Sequence, residues 1–271
     1  MRVSTSIPLL GLNWNVTANP YLVIPVNQFI QVELTACESK YGVEIKSMQP
    51  GAVLEEHLKL ASHKLTQVYN HLSSKAGKGF CLSVYIPEDN YVPLVSAYTA
   101  SILSAIYIVL KEILKGKPGE EDIIDIASFI WSDKKPGIKM LYEALLISAM
   151  RRKPILYRGS GEQILLEDFV LNSIQQGRVI PLDDIIERYF DPQLESALVK
   201  LEGISIISAV NTLASKSIGN SFDSKLVALQ DFFKIDNAIG YILYDLPVSR
   251  ENCKYIQSVE GYLEEICLGR D

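Results

Sequence analysis

Complete catalytic signatures are missing from this 271-residue chain. It has no G-x-S-x-G elbow, no Walker sequence and no G-x-G-x-x-G turn, which excludes the commonest hydrolase, NTPase and dinucleotide-binding motifs. Histidine is scarce: His57, His63 and His71 all fall in one segment, six and eight residues apart. That spacing does not put three imidazoles on one helix face in ligand geometry, and no histidine follows position 71, so a Ser-His-Asp or Cys-His arrangement would have to use that segment. The four cysteines, Cys37, Cys81, Cys253 and Cys267, form no C-x-x-C pair. They read as thiols of a reducing compartment rather than a disulfide framework or zinc site. Positive charge is not in excess, since 26 Lys and Arg stand against 32 Asp and Glu. A net charge of −6 argues against non-specific nucleic-acid binding, which needs phosphate neutralisation. The start, Met1 to Ser6, lacks the apolar run of a signal peptide, so a cytoplasmic location is expected.

What is present is a sizeable core. Apolar residues make up 48% and charged residues 21% of the chain, the balance of a folded globular protein. From Tyr91 to Leu110 no charge appears, about the length that spans a bilayer. Pro93, Ser96, Thr99, Ser101 and Ser104 interrupt that run, and no Lys or Arg cluster precedes it. It reads as a helix buried in a core, not a membrane span.

Strand signals open the chain at Arg2 to Pro8, Tyr21 to Cys37 and Val43 to Lys46. Leu54, Leu58, Ala61, Leu65, Val68 and Leu72 then follow helical spacing. Phe80 to Ile86 alternates as a strand, and Ser96 to Leu114 is a helix with Ser96 as its expected N-cap. A helix is expected over Ile123 to Trp131, a helix or extended apolar segment over Ile138 to Met150, and a strand at Pro154 to Arg158. Gly159-Ser160-Gly161 suggests a lobe boundary. Beyond it, helices are expected over Ile180–Phe190, Leu194–Leu201 and Leu226–Phe233, a strand at Ile242 to Tyr244, and a final helix from Glu251 to Leu268.

Two places have the context of an anion-binding turn. One is strand, Pro87, loop 88–95, Ser96, helix; the other is Lys234 to Tyr244, read as a turn running into a strand. With Val23-Ile24-Pro25-Val26 in an opening hairpin, and Pro136-Gly137-Ile138-Lys139 ahead of a middle strand, the order of segments resembles the GHMP kinases. These include galactokinase, homoserine kinase and mevalonate kinase. The resemblance implies an α+β, two-lobed fold, with an N-terminal lobe of mixed sheet and helices over 1–158 and a smaller C-terminal α/β lobe over 159–271. It implies descent from an ATP- and Mg²⁺-dependent enzyme that phosphorylates a small alcohol such as mevalonate or a sugar.

Carried over by position, Asp89, Ser96, Lys234, Asn237 and Gly240 become candidate cofactor-binding residues, and Asp133 and Lys139 candidate catalytic charges. The departures are specific. In the family's P-x-x-x-G-L-G-S-S-A loop only Ser96 is kept, with Pro93, Leu94 and Val95 where the glycine turn belongs. Lys139 stands at the catalytic aspartate's place, the early lysine is absent from Ser6-Ile7-Pro8-Leu9, and the late turn keeps only Gly240. Side chains at glycine positions hinder the close approach of main chain to a triphosphate. Three readings follow: a degenerate member that binds a small-molecule ligand or a protein partner; a working kinase using Asp133, Glu88, Asp89 or Asp236; or a regulatory module that uses the fold as an interaction surface. A homodimer is compatible with each.

Overall fold

The computed structural model describes residues 1–271 except 13–18, 37–41, 49–50, 74–78, 88–90, 159–162, 167–168, 172–173, 183–191, 216–221, 245, 247–248, 250–252 and 269–271. Cys37, Glu88 and Asp89 therefore lie outside the described residues, as does most of the 180–190 segment.

Two long antiparallel strands organise the first sheet. β1 (Arg2–Leu10) pairs with β2 (Tyr21–Ala36), and β2 also pairs with β4 (Phe80–Tyr85) and β5 (Ile155–Tyr157). The parallel partner β3 (Val43–Ser47) and the short β6 (Gln163–Leu165) close the order β3-β4-β2-β5-β6. β-branched and aromatic residues on β1 and β2 suit a pleated surface, and Ile7, Leu9, Leu22, Val23 and Ile24 are wholly buried. α1 (Ala52–Leu72) packs on β3, while α2 (Leu94–Leu114) and α4 (Pro136–Arg151) lie on β1 and β2, flanked by α3 (Glu120–Ile130).

α2 is the uncharged stretch, and its hydroxyls explain why it tolerates the core. Thr99, Ser101 and Ser104 donate to Val95, Ala97 and Ala100 carbonyls at 2.8, 2.6 and 2.7 Å, so no hydroxyl is stranded. Its most apolar window is 78% buried within the fold. α5 (Pro192–Leu213) is also long and apolar enough to span a bilayer, but only 33% of its window is buried. Its outward side carries Leu201, Ile204 and Ile207.

The C-terminal part departs from expectation in four ways. Ile180 and Pro181 end a strand, β7 (Ile174–Pro181), rather than starting a helix. Lys234 to Tyr244 is the second half of one long helix, α6 (Phe222–Tyr244), neither turn nor strand. The expected last helix is a hairpin of β8 (Cys253–Gln257) and β9 (Tyr262–Leu268) in a second sheet ordered β7-β9-β8. Ile256, Val259, Leu263 and Ile266 mimic helical spacing because the hairpin is buried on both faces, so no alternation with exposed polar residues marks it. Gly261, at φ +90°, makes its turn. Finally, Cys253 and Cys267 form a cross-strand disulfide, and Cys81 is also disulfide-bonded. The expectation of free thiols is thus corrected. A cytoplasmic location would then require a cytoplasm that tolerates disulfides, as in hyperthermophiles.

Candidate functional site

The N-terminus of α2 is where the phosphate-loop resemblance places chemistry. The first turn of a helix presents backbone N–H groups without intrahelical acceptors, at the positive end of the helix dipole. Pro93 occupies the N-cap position, so the expected cap by Ser96 is corrected. Ser96 lies inside the first turn, fully buried, and its Oγ donates to the Ser6 carbonyl of β1 at 2.6 Å. The side chain ties helix to sheet and points into the core.

A carboxyl group from within the chain already meets the leading N–H. Leu94 N donates to Glu264 Oε2 at 3.0 Å and Oε1 at 3.3 Å, and Ser258 Oγ donates to the same Oε2 at 3.0 Å. Glu264 comes from β9, with no exposure to solvent. Burial pushes its carboxyl up to about 8, only partly opposed by the Leu94 N–H.

The turn before β9 is tied to the neighbouring helices. Glu260 N donates to Tyr142 Oη at 3.0 Å, and Lys134 Nζ pairs with the Glu260 carboxylate at 2.6 Å. His57 places Nε2 3.2 Å from the Glu260 carbonyl and Nδ1 2.8 Å from the Val53 carbonyl. Behind the turn, Trp131 donates to Tyr98 Oη at 3.2 Å and both rings pack on Tyr142. Desolvation drives the Tyr98 and Tyr142 phenols well above their ordinary range. They remain neutral hydrogen-bonding groups, not bases.

The sequence-derived candidates do not converge. Asp133 is exposed and pairs with Lys64 at 2.5 Å, which holds its carboxyl below the usual range. Lys139 lies in α4, 3.7 Å from Glu143 one turn on, and Glu143 also accepts from Ser128 and Tyr157. Lys234 is exposed beside Asp231 at 3.0 Å. Asn237 is structural: Nδ2 donates to Ser249 Oγ at 2.7 Å and the Cys253 carbonyl at 3.1 Å, while Oδ1 accepts from Tyr255 N at 3.2 Å. Asp236 pairs at 2.7 Å with Lys254, which also donates to the Leu9 carbonyl, both ions being buried. Gly240 is a close approach, since a Cβ there would meet Leu246 and Leu12 side chains at 3.0 and 3.1 Å. Asp89 lies outside the described residues. Glu260 and Glu264, which do bond to the helices around α2's leading end, escape the sequence because the hairpin has the spacing of a helix. The Glu-Glu pair in a run with Leu263 and Ile266 was the one available signal.

This arrangement of sheets and helices is that of the GHMP-kinase fold. Among solved structures, mevalonate kinase from methicillin-resistant Staphylococcus aureus MRSA252 superposes with a TM-score of 0.59 at 17% identity, covering 99% of this chain and 90% of that one. Mevalonate kinase from L. major in complex with R-mevalonate gives 0.62 at 14% identity, covering 100% and 86%. A D-glycero-D-manno-heptose 1-phosphate kinase from Bacteriodes thetaiotaomicron gives 0.57 at 10% identity, covering 98% and 87%. No protein-family profile and no curated protein matches the sequence. The likeness is one of fold.

The residues at α2 do not fit a nucleotide triphosphate. The leading N–H is engaged by an internal carboxylate, three side chains replace the bare glycine turn, and Ser96 faces the core.

Proposed function

We propose that this chain descends from an ATP-dependent small-metabolite kinase, no longer runs that family's phosphotransfer, and serves as a small-molecule- or partner-binding protein. The observation that carries the reading is the buried Glu264 carboxyl on the Leu94 N–H. It occupies the N–H that a working loop would offer to phosphate, and it belongs to a disulfide-stapled hairpin whose turn is bonded to α1 and α4 and paired with Lys134. A ligand phosphate would have to displace all of these contacts together. The apolar row on α5 lends support to the protein-partner arm. In this reading the lobes divide near residue 158.

The test is a calorimetric titration with Mg²⁺ and ATP. No saturable heat is expected up to millimolar nucleotide, and a Mg²⁺-dependent micromolar dissociation constant would overturn the reading. A second reading, a kinase with relocated chemistry, draws on the ionised, exposed Asp133 beside Lys64. ATP turnover across a panel of small alcohols, lost in Asp133→Ala, would favour it instead.

A further inference from the structure

A second hollow, sharing no residue with the α2 cleft, lies where β2 leaves its ladder with β1. Ser4 pairs with Phe29 but Thr5 pairs with Val26, so Asn27 and Gln28 bulge out of register. Asn27 N turns instead to the Leu171 carbonyl at 2.7 Å. Bulges re-aim side chains and end local pairing, and this one opens a hollow of about 280 Å³ between the strands and the end of α4.

The lining is chemically pointed. The Arg2 guanidinium lies 3.2 Å over the Phe29 ring, which fixes its plane. Arg152 follows α4 in a left-handed conformation, φ +53°, that an L side chain rarely adopts and glycine usually takes at a helix end. Neither arginine has a carboxylate partner among the described residues, whereas neighbouring Arg151 pairs with Glu120. Gln28 lines the same hollow, is only 3% exposed, and its Oε1 has no hydrogen-bond partner among the described residues. A buried carboxamide left half-satisfied is uncommon and asks for a ligand group.

We infer that this hollow is a binding site for the phosphomonoester of a small polyol. Two unpaired guanidiniums match the double charge of a phosphomonoester, and their planar forks suit its oxygens. A hydroxyl, which both donates and accepts, satisfies the Gln28 carboxamide whichever way the amide is turned. Ser4 and Asn27 add polar contacts at the rim, and the volume fits a few-carbon compound rather than a nucleotide.

The probe is glycerol 3-phosphate, titrated calorimetrically at low ionic strength against the full chain. Saturable binding is expected, with weaker binding of inorganic phosphate and none of glycerol. Arg2→Met and Arg152→Met should each weaken glycerol 3-phosphate by about tenfold or more, the loss of one charged hydrogen-bond partner. Gln28→Leu should erase the preference for glycerol 3-phosphate over inorganic phosphate while phosphate still binds. Both arginines are exposed, so unchanged circular-dichroism melts are expected in their variants. Absent binding to the wild type, or binding indifferent to both arginine changes, would overturn the site. Neither result bears on nucleotide binding at α2, since the variants leave Glu264 and its partners intact.

Discussion

Glu264 holds its proton to about pH 8 because ionising it would strand a charge in the core with a helix N–H and one hydroxyl as its only aid. Unfolded, the same group titrates near the ordinary 4.5 of a glutamate. Its folded value is raised, so its contribution to stability is full below 4.5 and is lost as pH climbs through 8. Thermal melts from pH 5 to 9 should show this decline, on the order of a few kcal/mol. Glu264→Gln should flatten it, because the amide keeps an acceptor for Leu94 and cannot ionise. An unchanged slope in the variant would show that the carboxyl is not the titrating group. Lys254 and Asp236 make a different case, two buried ions bonded to each other. Asp236→Ala leaves the ammonium with only the Leu9 carbonyl among the oxygens that hold it, and should cost about 3–5 kcal/mol in urea unfolding. Pairing it with Lys254→Met should recover much of that loss.

Among the elements, the β8–β9 hairpin combines the greatest consequence with the least local support. Reduction of its disulfide, or Cys253→Ser with Cys267→Ser, should lower stability by about 3 kcal/mol, the chain-entropy expectation for a loop of this size. Denaturant midpoints of the wild type and the double-serine variant check it, because reductant would also open the Cys81 disulfide. The hairpin also shows where reading the sequence ends. β1, β2, β4 and α1 were legible because one face of each meets solvent or a clear turn signal bounds it. α2 was legible from its missing charge. The hairpin and the second half of α6 were not, because tertiary contacts override local preference there: Asn237 and Gly240 read as turn residues, yet they are held in a helix by Ser249, Tyr255 and the close approach of Leu12. At the cleft, the loss of glycines before Ser96 was visible in the residues themselves. That a carboxylate 170 positions away fills the gap was not, since no local pattern encodes what an N–H will face.

At the level of the whole molecule, the hairpin is joined to parts made much earlier in synthesis. Lys254 reaches Leu9 across 245 residues, Glu260 reaches His57 across 203, and Glu264 reaches Leu94 across 170. Contacts of such separation slow folding, because long loops must close before anything is gained. A ribosome-bound intermediate complete through α4 would present α2's leading turn uncovered, its amide free to attract anions or stray carboxylates from other chains. The piece that silences that turn is made 170 residues after it, so every newly made copy passes through a brief interval of vacancy before it closes on itself.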